Sequence, residues 1–246
     1  MSYKEFSYYY DYFNYNADYD VLADKIHSWA SAENLDGKIA CDLGCGTGEL
    51  AIRLNEKGWG VIAVDCSEEM LDVFNDKRAE LGLYNILILN QDITKLDMYG
   101  TVDLFTCTFD TVNHLNGAED VQKLFDKVSL FMHPDGVFIF DMNSEYKHLH
   151  ILGNEKFTFN EEEADCIWQN TLDENKGRTK ISIKINDKQS GESYSEEFFE
   201  HYYSLDKITE MLGKSGMKIC RIADGENFGE VTSTSQRYLF MVKKEQ

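Results

Sequence analysis

The sequence predicts an α/β fold: a twisted, seven-stranded, mostly parallel sheet with helices on both faces and an antiparallel β insertion. Three observations predict it. From residue 38 to 142, short apolar runs suited to strands buried on both faces alternate with segments of helical period. A turn rich in glycine, with Gly44, Gly46 and Gly48, joins the first of these runs to the helix that follows. From 155 to 203 the helical period disappears and strand-like alternation replaces it. The chain reads as a single domain over 1–246, with an aromatic, helical N-terminal segment at 1–36 and the inserted antiparallel sheet at 155–203.

The N-terminal segment holds Tyr3, Tyr8, Tyr9, Tyr10, Tyr12, Tyr15 and Tyr19. A helix over 18–33 follows, with Val21, Leu22, Ile26 and Trp29 on one side. Lys38–Asp42 is the first strand of the sheet. The glycines after it let the backbone turn tightly and approach a ligand where a Cβ would collide. Gly48–Lys57 is a helix whose Leu50, Ala51 and Leu54 face the sheet, and its free N–H groups attract negative ligand groups. Gly58 ends it. Val61–Val64 is the second strand, and Asp65 closes it, placed to accept hydrogen bonds from both ribose hydroxyls of a nucleoside.

The spacing selects the kind of nucleoside. A dinucleotide fingerprint needs its third glycine at position 49, which is Glu49. Asp42 at the strand end is a poor neighbour for a pyrophosphate and a good one for an ammonium. Asp-x-Gly-x-Gly-x-Gly therefore favours a nucleoside with an amino-acid tail and weakens a nicotinamide oxidoreductase.

Ser67 caps the next helix, with Glu68 and Glu69 in its positive first turn and Met70, Leu71 and Phe74 at helical spacing. Asn85–Leu89 is a third strand, followed by Asn90, Gln91, Asp92 and Ile93. Val102–Thr106 is a fourth strand. It runs into Cys107–Leu115, a loop dense in polar groups that includes Thr108, Asp110 and His114. Ligands of open parallel sheets sit beyond the carboxyl ends of the strands, where this loop lies. Residues 118–132 keep a regular apolar face on Val121, Leu124, Phe125, Val128 and Met132. A turn at Pro134-Asp135-Gly136 leads to a fifth strand, Val137–Phe140. In the insertion, Ala164–Leu172, Thr179–Ile185 and Tyr194–Tyr203 read as strands. Trp168, Phe198, Phe199, His201 and Tyr202 either roof a pocket or pack the insertion onto the main domain. Ser204–Lys214 is a helix, and Lys218–Ile222 and Arg237–Val242 close the sheet.

Over Asp42–Gly48, and again over Asp65-Cys66-Ser67-Glu68-Glu69-Met70-Leu71, the chain resembles the class I S-adenosylmethionine-dependent methyltransferases of the small-molecule type. Its fourth-strand loop is similar to that of deoxyamino-sugar N-methyltransferases, where a histidine holds the place of His114. The resemblance covers residues 38–142 well and 204–243 in outline. It implies a Rossmann-like sheet and S-adenosyl-L-methionine as the donor, with S-adenosyl-L-homocysteine as the product. It implies that Cys66 and Met70 pack on the adenine, with core packing the alternative for Met70. Asp92 would accept from the adenine amino group and the Ile93 N–H would serve a ring nitrogen; a turn cap is the other role open to Asp92. It also implies that the N-terminal segment is a lid bringing Tyr10 and Tyr19 to the site; amphipathic packing of a helix is the other role open to the tyrosines of this segment. With Asp42, Gly44, Cys45, Gly46, Gly48, Asp65 and Thr108, these residues make the expected donor-binding set.

Composition narrows the partners. With 24 basic and 44 acidic residues the net charge is −20, which repels phosphate backbones and anionic membrane surfaces. No nucleic acid or membrane partner is expected, and the acceptor is a small molecule. No apolar run approaches a membrane span, the first residues carry no apolar signal segment, and the six cysteines form no C-x-x-C pair, with Cys41, Cys107 and Cys220 inside strands that read as buried. These features predict a reduced, cytoplasmic protein with no metal. For an amine acceptor, His114 is the candidate base, since imidazole titrates near neutral pH; a structural hydrogen bond that orders the loop is its alternative. Asp110 is a candidate anchor for a cationic acceptor. The rival from another class is a non-catalytic protein that binds the same donor as a sensor or scaffold.

Overall fold

The structure, a computed structural model, describes residues 6–13, 17–35 and 38–245, the side chains of 6–8 excepted. Parts of the expected N-terminal lid, with Tyr3, Tyr15 and the Tyr8 side chain, lie outside the described residues.

Helix α1 (Phe6–Phe13) and helix α2 (Tyr19–Ser31) precede the sheet. The alternation then runs β1 (Ile39–Leu43), α3 (Glu49–Glu56), β2 (Gly60–Asp65), α4 (Glu68–Glu80), β3 (Leu87–Asn90), β4 (Val102–Cys107), α5 (Thr111–His114), α6 (Ala118–Phe131) and β5 (Met132–Asn143). After the insertion come α7 (Leu205–Lys214), β10 (Met217–Asp224) and β11 (Arg237–Lys244). The main sheet has seven strands in the order β10-β11-β5-β4-β1-β2-β3. Only β11 runs against the rest. The chain builds outward from β1 in one direction to β3, then returns to β4 on the other side. That reversal opens a crevice beyond the carboxyl ends of β1 and β4.

Each face of the sheet is covered by its own apolar layer. One gathers Ile26, Trp29, Leu54, Trp59, Phe74 and Leu104 under α2, α3 and α4. The other gathers Phe105, Phe125, Phe138, Phe140 and Phe240 under α6 and α7. Phe140 stacks on Phe240 with ring centroids 4.6 Å apart. Strands buried on both faces need apolar residues at every position, so these segments read as continuous hydrophobic runs.

A second sheet is antiparallel and four-stranded: β6 (Lys156–Asn160), β7 (Ala164–Asp173), β8 (Arg178–Asp187) and β9 (Ser193–His201). Ile181, Ile183 and Ile185 face inward from β8, at 0%, 3% and 2% exposure, as their alternation predicts. A π-helical turn, Lys147–Leu152, links the two sheets.

Four local readings change. Val21 is 46% exposed, because the buried stripe of α2 runs through Leu22, Ala23, Ile26, Trp29 and Ala30. Cys220, expected in a buried strand, is exposed because β10 is an edge strand with few inward positions. Pro134-Asp135-Gly136 does not separate helix from strand. It bulges out of β5, where Val102 pairs with Met132 but Leu104 already pairs with Val137. Strand β6 adds a fourth member to the insertion; it is a short, mostly exposed edge whose two phenylalanines carry the only strand signal.

The glycine turn is tied to the core at one point. A Cβ on Gly48, at φ +85°, would stand 2.2 Å from the ring of Phe74, whereas one on Gly46 would meet nothing within 4 Å. Gly48→Ala therefore lowers the unfolding free energy by about 3 kcal/mol or more, adding overpacking to left-handed strain, while Gly46→Ala costs about 1–2 kcal/mol. Urea denaturation of the two variants checks this; equal losses would contradict the packing account.

Candidate active site

A cavity of about 570 Å³ opens at the crevice beyond β1 and β4. One end is made by the glycine turn and the ends of β2 and β3. There Gly44, Gly46, Asp65, Cys66, Met70, Asp92 and Ile93 line it, and Tyr10 reaches it from α1. A Cβ on Gly44 would fall 2.5 Å from Thr111 Cγ2, so only glycine lets the turn pass so close to the β4 loop. Asp65 is held by backbone donors: its carboxylate accepts from Gly46 N–H and from Ser67 N–H, each at 2.9 Å. Burial pushes its pKa up against those bonds. Asp92 caps the 3₁₀ turn Ile93–Lys95, accepting from Thr94 N–H at 2.9 Å and Thr94 Oγ1 at 2.7 Å. Burial opposes its ionisation, but those bonds and Lys95 hold its carboxyl below the usual range. The cap is thus observed, and the same residue lines the cavity.

The other expected residues lie behind this surface. Asp42 is 2% exposed, does not line the cavity, and accepts from Thr106 Oγ1 at 2.7 Å. Burial pushes its pKa up to about 7, against the Thr106 hydrogen bond. Cys45, Gly48 and Thr108 are buried or turned away, and Tyr19 braces Phe109 with ring centroids 4.5 Å apart.

The opposite end is polar and ionic. Phe109 and Asp110 have φ of +54° and +53°, a left-handed conformation rare for residues with side chains. Asp141, at the end of β5, stabilises it by accepting from Phe109 N–H at 3.0 Å and Asp110 N–H at 2.8 Å. Arg237 of β11 donates to Asp110 at 2.8 Å and to Asp141 at 2.9 Å. Helix α5 then carries His114 back over this pair. Its Nε2 lies 3.4 Å from Asp110 Oδ2 and 3.8 Å from Glu200 Oε1. Asn143 donates to Glu200 at 3.1 Å and accepts from Lys147 at 3.0 Å.

These charges set one another. Burial raises the Asp110 carboxyl, yet Arg237 and His114 outweigh it and hold it well below the usual range. Burial lowers His114, but Asp110 and Glu200 outweigh that and keep its pKa above the ordinary value. Glu200 is raised by burial and by Asp110. Asp110, His114 and Glu200 also have the spacing of a cation site, their ligand atoms lying within 4.8 Å of one another. This bears on the expectation of a metal-free protein, and one Asp110 oxygen is already taken by Arg237.

Of the insertion's aromatics, Trp168 and Phe198 line the cavity, together with Phe157 and Phe159. Phe199, His201 and Tyr202 do not line it; Phe199 faces away and lies under the Arg178 guanidinium, 3.9 Å from its ring centre. Sequence reading missed Asp141, Asn143, Lys147, Glu200 and Arg237. Asp141 closes an apolar strand as Asp42 and Asp65 do, which is a readable signal. Arg237 carries none.

Sheet order, glycine turn and strand-end acids together define a nucleoside-binding α/β protein. The comparisons make it specific. A family model described as a methyltransferase domain matches residues 40–136. A protein of Geobacillus sp. (strain WCH70) assigned to the methyltransferases is 30% identical over 248 residues, covering 99% of this chain and 100% of the relative. An S-adenosylmethionine-dependent methyltransferase from Clostridium acetobutylicum ATCC 824 superposes with a TM-score of 0.90 at 30% identity, covering 99% of each chain. The SAM-bound amino pentose methyltransferase CalS10 from Micromonospora echinaspora shares the fold, with a TM-score of 0.76 at 17% identity over 96% of each chain. The chain belongs to the S-adenosylmethionine-dependent methyltransferases.

Two titrations check the electrostatics. His114 should titrate above about 6.5, and Asp110→Asn should bring it down by removing its nearest carboxylate. An NMR titration of the imidazole reads this; an unchanged value in the variant would contradict the pairing. Because the folded value is raised, the stability that charged His114 adds is complete below about pH 6.5 and fades as pH rises through the folded value. Asp42 acts in the same direction over a lower window. With a folded pKa near 7 the native state holds its proton longer than the unfolded one, so stability falls as pH rises between about 4 and 7. Asp42→Asn should flatten that fall, as thermal unfolding across the window would show.

Proposed function

We propose that this methyltransferase acts on a small-molecule acceptor at nitrogen or oxygen, with an amine nitrogen favoured. The observation that carries the reading is one continuous cavity. It has one end lined by the glycine turn, Asp65 and Met70 and an ionic end around His114 and Asp110. S-adenosylmethionine, when bound, supplies an electrophilic methyl group on a sulfonium whose departure is neutral, so the chain's own task is alignment, water exclusion and proton removal.

Each Asp65 oxygen keeps a lone pair for a ribose hydroxyl beyond its backbone bond. Asp92, the Ile93 N–H, Cys66 and Met70 hold the adenine. Gly44 and Gly46 give the amino-acid tail its close approach, and Gly48, Cys45 and Thr108 fix the turn and loop behind them. Asp42 acts on the tail's ammonium through its field rather than by contact. Phe109 and Tyr10 supply aromatic faces suited to a sulfonium. His114 takes the proton of an ammonium acceptor, and the neighbouring carboxylates stabilise the imidazolium that results.

Within a single domain, α1 serves as the lid and the second sheet as the cap. Tyr9 of α1 donates to Asp187 of the cap, and Asp11 accepts from Thr47 of the glycine turn at 2.6 Å. Both attachments support a lid that spans donor and acceptor sides. The free state of all six cysteines supports a reducing, cytoplasmic setting, and no described helix is long and apolar enough to cross a membrane.

A screen of amines and hydroxylated metabolites for S-adenosylhomocysteine release tests the reaction. Asp65→Ala should weaken S-adenosylhomocysteine binding about 10- to 100-fold, the loss of charge-assisted hydrogen bonds, with the fold intact. Unchanged affinity by calorimetry would remove Asp65 from the ribose. His114→Ala should lower turnover about 10²- to 10⁴-fold with little change in donor affinity; retained turnover would end its role as base.

A further inference from the structure

We infer that the acceptor half of the cavity takes an amine that carries an aromatic or similarly apolar body and no phosphate. The inference rests on the methyl-transfer reading for its biological meaning, while the binding site itself stands on the geometry below.

The register of the second sheet builds one wall. Phe157 opposes Trp168, Trp168 opposes Ile183, Ile181 opposes Phe198, and Thr179 opposes Glu200. Side chains directly opposite one another share a face, as do residues two apart on one strand. Phe157, Phe159, Trp168, Phe198 and Glu200 therefore point to the same side, and all five line the cavity. Trp168 meets Phe198 edge to face at 6.5 Å, and Phe198 lies against His114 at 5.0 Å. The aromatic wall thus ends at the ionic corner. A flat apolar group against the wall would place a substituent one or two bonds away beside His114.

Among the described residues, Asp110, Asp141 and Glu200 face Arg237, Lys147 and His114, so the set balances while His114 holds its proton and is one cation short once that proton is given up. His148, next to Glu200 at 3.7 Å, does not make up the difference, since burial pushes its pKa down to about 4. An uncompensated buried charge is costly, and a bound monocation removes the cost. An ammonium fits this deficit with donors for Asp110 and Glu200 and a proton for His114 to take. A divalent metal would overshoot it. A phosphate would deepen it. Lys147 and Arg237 are the only cations among the described lining residues, and both are already engaged by Asn143, Asp110 and Asp141.

Calorimetry on the full chain tests this. S-adenosylhomocysteine is titrated first. If it does not bind, the donor reading fails, and the amine series is run on the unliganded protein, so the two failures stay distinct. The probes are benzylamine, phenethylamine and 3-phenylpropylamine, against 2-phenylethanol, a nucleoside-diphosphate amino sugar, and Zn²⁺ alone. At least one arylalkylamine should bind with Kd near or below about 1 mM, and phenylethanol about tenfold or more weaker. Glu200→Gln and, independently, Trp168→Leu should each weaken the amine about tenfold and leave S-adenosylhomocysteine affinity unchanged; the Trp168 arm decides if the Glu200 variant does not fold. The inference is overturned if no arylalkylamine binds or if the alcohol binds as well as the amine. It is equally overturned if the nucleotide sugar or Zn²⁺ occupies the corner and the amines do not, or if neither variant weakens binding.

Discussion

The carboxylate of Asp141 governs the geometry of the ionic end. Two consecutive residues with side chains, Phe109 and Asp110, sit in the left-handed region, at a cost of roughly 1–2 kcal/mol each. Asp141 accepts from both of their backbone N–H groups and from Arg237, which in turn holds the Asp110 side chain. The strand order makes this possible. Because β11, β5 and β4 are adjacent, their ends bring Arg237, Asp141 and the β4 loop side by side. The strained pair turns the chain sharply enough for α5 to deliver His114 over the cavity. A buried ion network is weak evidence for stability by itself; here it fixes the one loop that faces both ends of the cavity.

The end at the glycine turn is held by a different kind of contact. Backbone makes most of it: the turn approaches closely because its glycines carry no Cβ, and Asp65 is oriented by backbone N–H groups. Such a site tolerates many side chains around it, as long as the turn keeps its shape. The ionic end is built from side chains of α5, β5, β9 and β11 that are far apart in sequence. The two ends of the cavity therefore draw on separate parts of the chain.

That division also explains what the sequence revealed. Asp42, the glycines, Asp65 and Asp92 belong to local strand-turn-helix patterns, so their places at strand ends could be read directly. Their contacts could not: Asp42 bonds Thr106 across a neighbouring strand and sits behind the cavity rather than on it. Glu200 was hidden inside a run of alternating residues whose inward face only the pairing register identifies. Arg237 lies 127 residues from Asp110 and looks like any basic residue at the start of a strand. Val21 was misread because an amphipathic stripe is about as wide as one residue's angular error. Pro134 reads as a turn by its chemistry, and the strand instead absorbs it as a bulge.

The central claim is that donor and acceptor meet between the glycine turn and the His114 corner. The crystal structure of the complex with S-adenosylhomocysteine tests it most directly. The account predicts ribose hydroxyls on Asp65, adenine between Met70 and Asp92, and the sulfur facing the space before His114 and Phe198. A ligand bound elsewhere, or one whose sulfur faces away from His114, would contradict it.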